Sequence, residues 1–304
     1  AGLTVLCAGI AVVLGVMLVA LALGRKDPFA PDSLSPDSPL GLLANNLVIV
    51  AILPAVALAV LVAHRERPGW LSSVTGRLRW TALLRFGGVA LVVVLVFFPL
   101  GFLVPPAGLG DVHPPGAPTL AGLLAVILLT TPLQSAAEEY GFRGYLTQVV
   151  GSWFARPVPG AVVAACVTAV LFATAHGGQE PALFADRLAF GLVASWLVWR
   201  TGGLEAAVAM HAANNLVSLG WSAVSGSVKE SLTASTLGWP YVALDVAMMV
   251  VFAAVADRLA RRWGMAVRRV AAPAYPPSGP GVLSGPPAVG YPVWRPDGAT
   301  HEGT

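Results

Sequence analysis

Apolar residues occur along this chain in long unbroken runs, separated by short polar connections, and not in the alternation of a half-buried strand. Eight runs can be marked, at 3–23, 40–63, 87–104, 119–137, 160–175, 182–199, 204–224 and 239–256. Several hold about twenty residues with few or no charges, which is the length a helix needs to cross the bilayer core. A membrane β-barrel would alternate apolar and polar positions instead. The pattern predicts an all-α fold: a polytopic integral membrane helical bundle of about eight transmembrane helices. The first run ends in Ala20-Leu21-Ala22, which resembles a signal-peptidase site. Its apolar core is longer than a usual signal core and no basic stretch precedes it, so it is read as a span. The chain opens on Ala1, and some N-terminal sequence is expected to precede it.

Composition agrees with that class. Hydrophobic residues make up 56% of the 304 and charged residues only 11%, with mean hydropathy +0.76. Soluble domains carry about 25% charged residues, so this chain lacks the polar surface to cover itself in water. The net charge is +3, and 16 of the 18 basic residues are Arg. They flank apolar runs, so they are read as topology signals and nucleic acid is excluded as a partner. Cys7 and Cys166 fall inside apolar runs and behave as small hydrophobes, with no sign of a disulfide or a metal knuckle.

The arginines orient the bundle. Arg65, Arg67, Arg77, Arg79 and Arg85 follow the second run, and Arg258, Arg261, Arg262, Arg268 and Arg269 close the eighth. With eight spans both groups fall on one side, joined by Arg156 and Arg200, while Arg25, Lys26 and Lys229 fall opposite. That places both termini in the cytoplasm. The organisation read from this is N-terminal transmembrane helices over 1–118, a transmembrane core over 119–260, and a basic, then Pro/Gly-rich tail over 261–304. Within the first part, "WLSSVTGRLRWTALLRFGG" predicts a helix lying at the cytoplasmic interface. From Ala271 onward the composition predicts a disordered tail. No internal repeat is visible.

Ionisable groups inside spans are rare and functional by default. Three clusters stand out: Glu138-Glu139-x-x-x-Arg143, Phe172-x-x-x-His176, and His211-x-x-x-Asn215. Residues four apart share a helical face, so Glu139 can pair with Arg143. Glu138 is turned about 100° away from Glu139 and is left free for chemistry. Asn214 is expected to point away from His211. A glutamate and a histidine can activate a water, by general-base action or by holding a metal. A second histidine and an asparagine can donate hydrogen bonds to an oxyanion. That is the inventory for peptide hydrolysis in a membrane.

In this order and spacing, "EEYGFR", "FATAH" and "HAANN" resemble the CAAX protease and bacteriocin-processing (CPBP, or Abi) family of intramembrane proteases, over roughly residues 120–219. The resemblance implies that Glu138 is the catalytic carboxylate activating water, assisted by His176. It implies that His211 and Asn215 stabilise the oxyanion, while Glu139 and Arg143 support the site and Phe172 belongs to its motif. Eukaryotic members act on prenylated C-terminal tails. The Arg-over-Lys bias and the Ala, Gly and Pro richness instead point to a GC-rich bacterial genome and its plasma membrane, where prenylation is not expected. The expected partners are the lipid bilayer and a membrane-embedded or membrane-proximal peptide or protein.

Two readings compete with an endopeptidase. One is a catalytically silent family member acting as an immunity or assembly factor, against which the intact motifs argue. The other is a proton-coupled transporter, disfavoured by the lack of inverted repeats. The cofactor expectation is none, or one Zn held by Glu138, His176 and His211, since a catalytic zinc takes three protein ligands and an open position. No HExxH is present, and the metal-free reading is preferred. One feature conflicts with the drawn boundaries. Glu138 falls near the cytoplasmic end of its run and His176 near the far end of the next, so they meet only if the boundaries move or the helices are broken or tilted.

Overall fold

The computed structural model describes residues 35–104 and 112–269. The expected first span at 3–23, with Cys7, Arg25 and Lys26, and the tail from Ala271 lie outside the described residues. Seven long helices and two short ones form the bundle: α1 Pro39–His64, α2 Gly69–Ser72, α3 Trp80–Gly101, α4 Ala117–Gly151, α5 Pro157–Thr174, α6 Pro181–Thr201, α7 Glu205–Ser225, α8 Val228–Leu232 and α9 Trp239–Arg262. Six of them (α1, α3, α4, α5, α6 and α9) are long and apolar enough to cross a membrane. The protein is a polytopic helical bundle, and among the described residues the only β-type pairing is an isolated bridge between Ser73 and Gly203.

The helix ends follow local chemistry. Proline stands in the first turn of α1, α4, α5, α6 and α9, where its missing N–H has no intrahelical partner to lose. Ser38 caps α1 through its side chain, which accepts from the Gly41 N–H at 3.1 Å. Gly202 and Gly226 close α6 and α7 at φ 67° and 77°, a left-handed conformation that glycine adopts without steric cost.

Helix α7 sits at the centre, packed against α3, α4, α6, α8 and α9. It is the expected seventh span, yet its hydropathy falls short of the other six because it carries Glu205, His211, Asn214 and Asn215. Around it Phe86, Phe172, Phe190, Met210, Met249 and Phe252 form the main core. At the arginine-bearing end, Arg79 grips Glu205 with both ends of its fork, at 2.9 and 2.6 Å, and also donates to the Thr201 carbonyl at 3.0 Å. Arg200 and Arg261 both pair with Asp257, at 2.8 and 2.9 Å. Several arginines read as topology signals are therefore also structural pairs.

Two boundaries differ from the hydropathy pattern. The interfacial helix reduces to Gly69–Ser72, and Trp80 onward already belongs to the spanning helix α3. The intervening loop is tied down by its own polar groups, as where Ser73 Oγ donates to the Arg77 carbonyl at 2.7 Å. The larger difference is α4. It does not end near residue 137 but runs on as a π-helical segment, Tyr140–Leu146, and a last α-turn, Thr147–Gly151. The hairpin to α5 thus lies fourteen residues beyond residue 137. Glu138 is inside a helix, and antiparallel α5 brings His176 back to its level.

Candidate active site

The middle of α4 carries four polar side chains in two pairs on two faces, Glu139 with Arg143 and Gln134 with Glu138. Glu139 and Arg143 point into the protein with side chains fully buried, and Arg143 Nη1 donates to Glu139 Oε1 at 3.1 Å. Glu138 is turned to a cavity of about 350 Å³. One turn earlier, Gln134 Nε2 donates to Glu138 Oε1 at 2.8 Å, leaving Oε2 without a hydrogen-bond partner. Such π-helical insertions recur at functional sites, and this one begins directly after the glutamate pair.

His211 of α7 lies between the two glutamates. Its Nδ1 is 2.9 Å from Glu139 Oε1, and its Nε2 is 3.4 Å from Glu138 Oε2. The second distance is an electrostatic contact, too long for a good hydrogen bond. With both ring nitrogens protonated, Arg143, Glu139, His211 and Glu138 form a line of alternating charge that sums to zero. A buried set of charges tolerates low dielectric surroundings only when balanced in this way.

His176 follows the end of α5 and reaches the same cavity. Its Nδ1 is 2.7 Å from the Phe172 carbonyl, an acceptor, which assigns the proton to Nδ1 and leaves Nε2 bare. Burial holds this imidazole below its ordinary 6.5, against the raising pull of that carbonyl and of the Glu138 carboxylate. Phe172 is the wall between these groups. Its ring stacks on Phe190, stands edge-on to His176 and His211, and lies 4.3 Å under the Arg143 guanidinium. Arg143 Nε and Nη2 have no hydrogen-bond acceptor, so the ring faces and Glu139 are its described partners.

Glu138, Phe172, His176, His211 and Asn215 thus line one chamber. Two details depart from the reading. Asn214, expected to point away, lines the chamber too. Asn215 directs its amide to Gln134 Oε1 and Ser135 Oγ, both at 3.3 Å, and through Gln134 it is connected to Glu138. Gln134 was not singled out, although it precedes Glu138 by one turn on the same face. Asp186, Arg187 and Asp245 also line the chamber. They are ionisable groups inside expected spans, so the rule that found the three clusters applies to them as well.

The implied zinc can be tested against the donors. Each histidine has Nδ1 tied back, as metal-binding histidines do. Among the described residues, however, no three His, Cys, Asp or Glu side chains are grouped so that they could hold one ion. The candidate set Glu138, His176 and His211 does not fit a metal as arranged, because Glu138 Oε2 faces His211 Nε2 itself.

Residues 120–217 match the family described as Type II CAAX prenyl endopeptidase Rce1-like. That stretch coincides with the one on which the motifs were read. The chain is also 26% identical over 183 residues to the uncharacterized protein YyaK of Bacillus subtilis, covering 59% of this chain and 60% of that relative's length. No solved structure matches the chain.

Proposed function

Starting from residues 120–217 as an Rce1-like domain of the CPBP type, we propose that the chain is an intramembrane endopeptidase whose water is activated by Glu138. The observation that carries this reading is the line Arg143–Glu139–His211–Glu138, ending at a carboxylate oxygen that has no hydrogen-bond partner, in a chamber shared with His176. Glu138 Oε2 takes a proton from water, and His176 Nε2 accepts the second hydrogen bond of the same water. The hydroxide attacks the carbonyl carbon of the scissile bond. His211, protonated at Nε2 and held through Nδ1 by Glu139, donates to the resulting oxyanion together with the Asn215 amide. That amide leaves only two long bonds, at 3.3 Å, to do so. Glu138 then passes its proton to the leaving amine as the C–N bond breaks. No step runs through a metal. The substrate is a membrane-embedded or membrane-proximal peptide, with the bacterial plasma membrane as the setting and both termini cytoplasmic.

Glu138→Gln tests this. The amide cannot take the proton, so cleavage in membranes should fall by 10²–10⁴-fold, the usual scale of lost general-base catalysis, while the protein remains inserted and folded. Proteomics of membranes with wild-type or variant protein would show the uncut substrate. Retention of more than about a tenth of the activity would move the base elsewhere. A chelator titration with elemental analysis accompanies the test. Zinc at about one per chain, with activity lost to chelator and restored by zinc, would replace the metal-free step.

A further inference from the structure

The chamber carries more negative charge than the reaction uses. Asp186, in the second turn of α6, and Asp245, in the second turn of α9, both line it, close enough for their carboxyls to interact electrostatically. Asp186 is 8% exposed, and its Oδ1 has no hydrogen-bond partner. With Glu138 balanced in the line that ends at His211, Arg187 is the only Lys or Arg among the described residues lining the chamber, set against Asp186 and Asp245. Its field is divided between Asp186 and Glu138, and its Nη1 donates to Gln179 Oε1 at 2.6 Å. Two neighbouring carboxylates in a buried site are not both ionised unless a cation joins them. Conversely, a cationic side chain drawn into a membrane bundle requires an acidic partner.

We propose that Asp186 and Asp245 form a subsite for a cationic side chain, lysine or arginine, of the peptide substrate. This rests on the endopeptidase reading and names the substrate class for the same chamber. An ammonium with three donors, or the guanidinium fork, satisfies two carboxylates at once, including the orphaned Oδ1 of Asp186. The distance to the cleaved bond is bounded by the cavity. A volume of about 350 Å³ has a mean dimension of roughly 7 Å, or about two residues of extended chain. The basic residue therefore lies within about two positions of the bond that breaks.

The test alters the substrate and leaves the protein intact. The full chain in detergent is given capped leucine–alanine peptides carrying one lysine, or norleucine in its place, at successive positions. Norleucine keeps the carbon chain and removes only the ammonium. The lysine peptides should show kcat/KM about ten-fold higher or more at one or two positions, the scale of one charge-assisted hydrogen bond. In Asp186→Asn and Asp245→Asn the ratio should fall towards one. Binding of the same peptides to the Glu138→Gln chain provides a second readout, with the same selectivity expected. Equal cleavage and equal binding of lysine and norleucine peptides would overturn the subsite and leave the endopeptidase standing. Lysine-selective binding with no cleavage by the wild-type chain would do the reverse: it supports the subsite and sinks the proteolytic reading.

Discussion

Arg143 tests how the site is held together. It lies 3.1 Å from Glu139 Oε1 with both side chains fully buried. At that separation the gross Coulomb attraction is about 5 kcal/mol for an effective dielectric constant of about 20. Desolvation of two charges offsets much of this, so the pair itself contributes little net stability. Losing one partner is different, because the survivor is left uncompensated at a cost of about 3–5 kcal/mol. The guanidinium also lies over Phe172 at 4.3 Å and Phe190 at 5.5 Å, contacts each worth about 0.5–2 kcal/mol. Arg143→Gln should therefore be the worse single variant. Glu139→Gln leaves the ring contacts in place and should cost less. The double variant removes both charges and should recover about 1–3 kcal/mol relative to Arg143→Gln.

At roughly 2–4 °C per kcal/mol for a chain of this size, Arg143→Gln should melt roughly 6–20 °C below wild type, and the double variant roughly 2–12 °C above that. Tryptophan fluorescence of the detergent-solubilised chain during heating measures both. Activity should not follow stability. Glu139 Oε1 also accepts from His211 Nδ1 at 2.9 Å, so the double variant should remain about 10–100-fold slower, the worth of one charge-assisted hydrogen bond. A double variant no more stable than Arg143→Gln would show that the charges are not coupled. Wild-type turnover in the double variant would show that Glu139 does not hold His211.

Three further outcomes are expected. Gln134→Met removes the donor to Glu138 Oε1 and should lower kcat about 10-fold or more with KM little changed; an unchanged kcat would remove Gln134 from the site. Gly191→Ala would bring a Cβ to 2.7 Å from Ala169 Cβ and 3.1 Å from Arg143 Nη2, so it should lower the melting temperature by the equivalent of about 1–3 kcal/mol; a neutral effect would mean that α5 and α6 separate freely there. Because burial holds His176 below 6.5, its neutral form persists above that value and is lost as pH falls through a lower one. The acid limb assigned to it in kcat/KM, identified by its disappearance in His176→Ala, should lie below pH 6.5, and a limb above that value would refute a neutral His176.

The bundle was legible because lipid solvation demands continuous apolar runs, and six of those runs reappear as membrane-length helices. Their ends were not legible where polar side chains are satisfied inside the protein. Hydropathy stops α4 near Ala137, since Glu138, Glu139, Tyr140, Arg143 and Gln148 follow. The helix continues because those groups have partners: Arg143 for Glu139, Ser72 for Tyr140 at 2.7 Å, and the Trp70 carbonyl for Gln148 at 3.2 Å. The division between the two glutamates was visible from helical spacing alone. The contact of His211 with both of them was not, because it depends on how α7 is rotated against α4. Asn214 shows the same limit: adjacency on a helix places a residue on another face, but the chamber reaches around far enough to include it.

That rotation follows from the polar groups themselves. Glu205, at the start of α7, is fully buried and held by Arg79 from the loop before α3. Six residues on, His211 meets Glu139, and one turn further Asn215 meets Gln134 and Ser135. His211 and Asn215 share one side of α7, while Glu205 is turned about 120° from His211, so the contacts reach two different elements, the α3 entry and α4. A sliding or turning of α7 by one residue would strand several of them in a medium where each unsatisfied polar group costs several kcal/mol. Apolar packing alone imposes no such register between membrane helices, since lipid tails are as apolar as the side chains they replace. The side chains that make α7 a poor span are thus the ones that fix its position. The step that seats α7 in the bundle is also the step that sets His211 between Glu138 and Glu139.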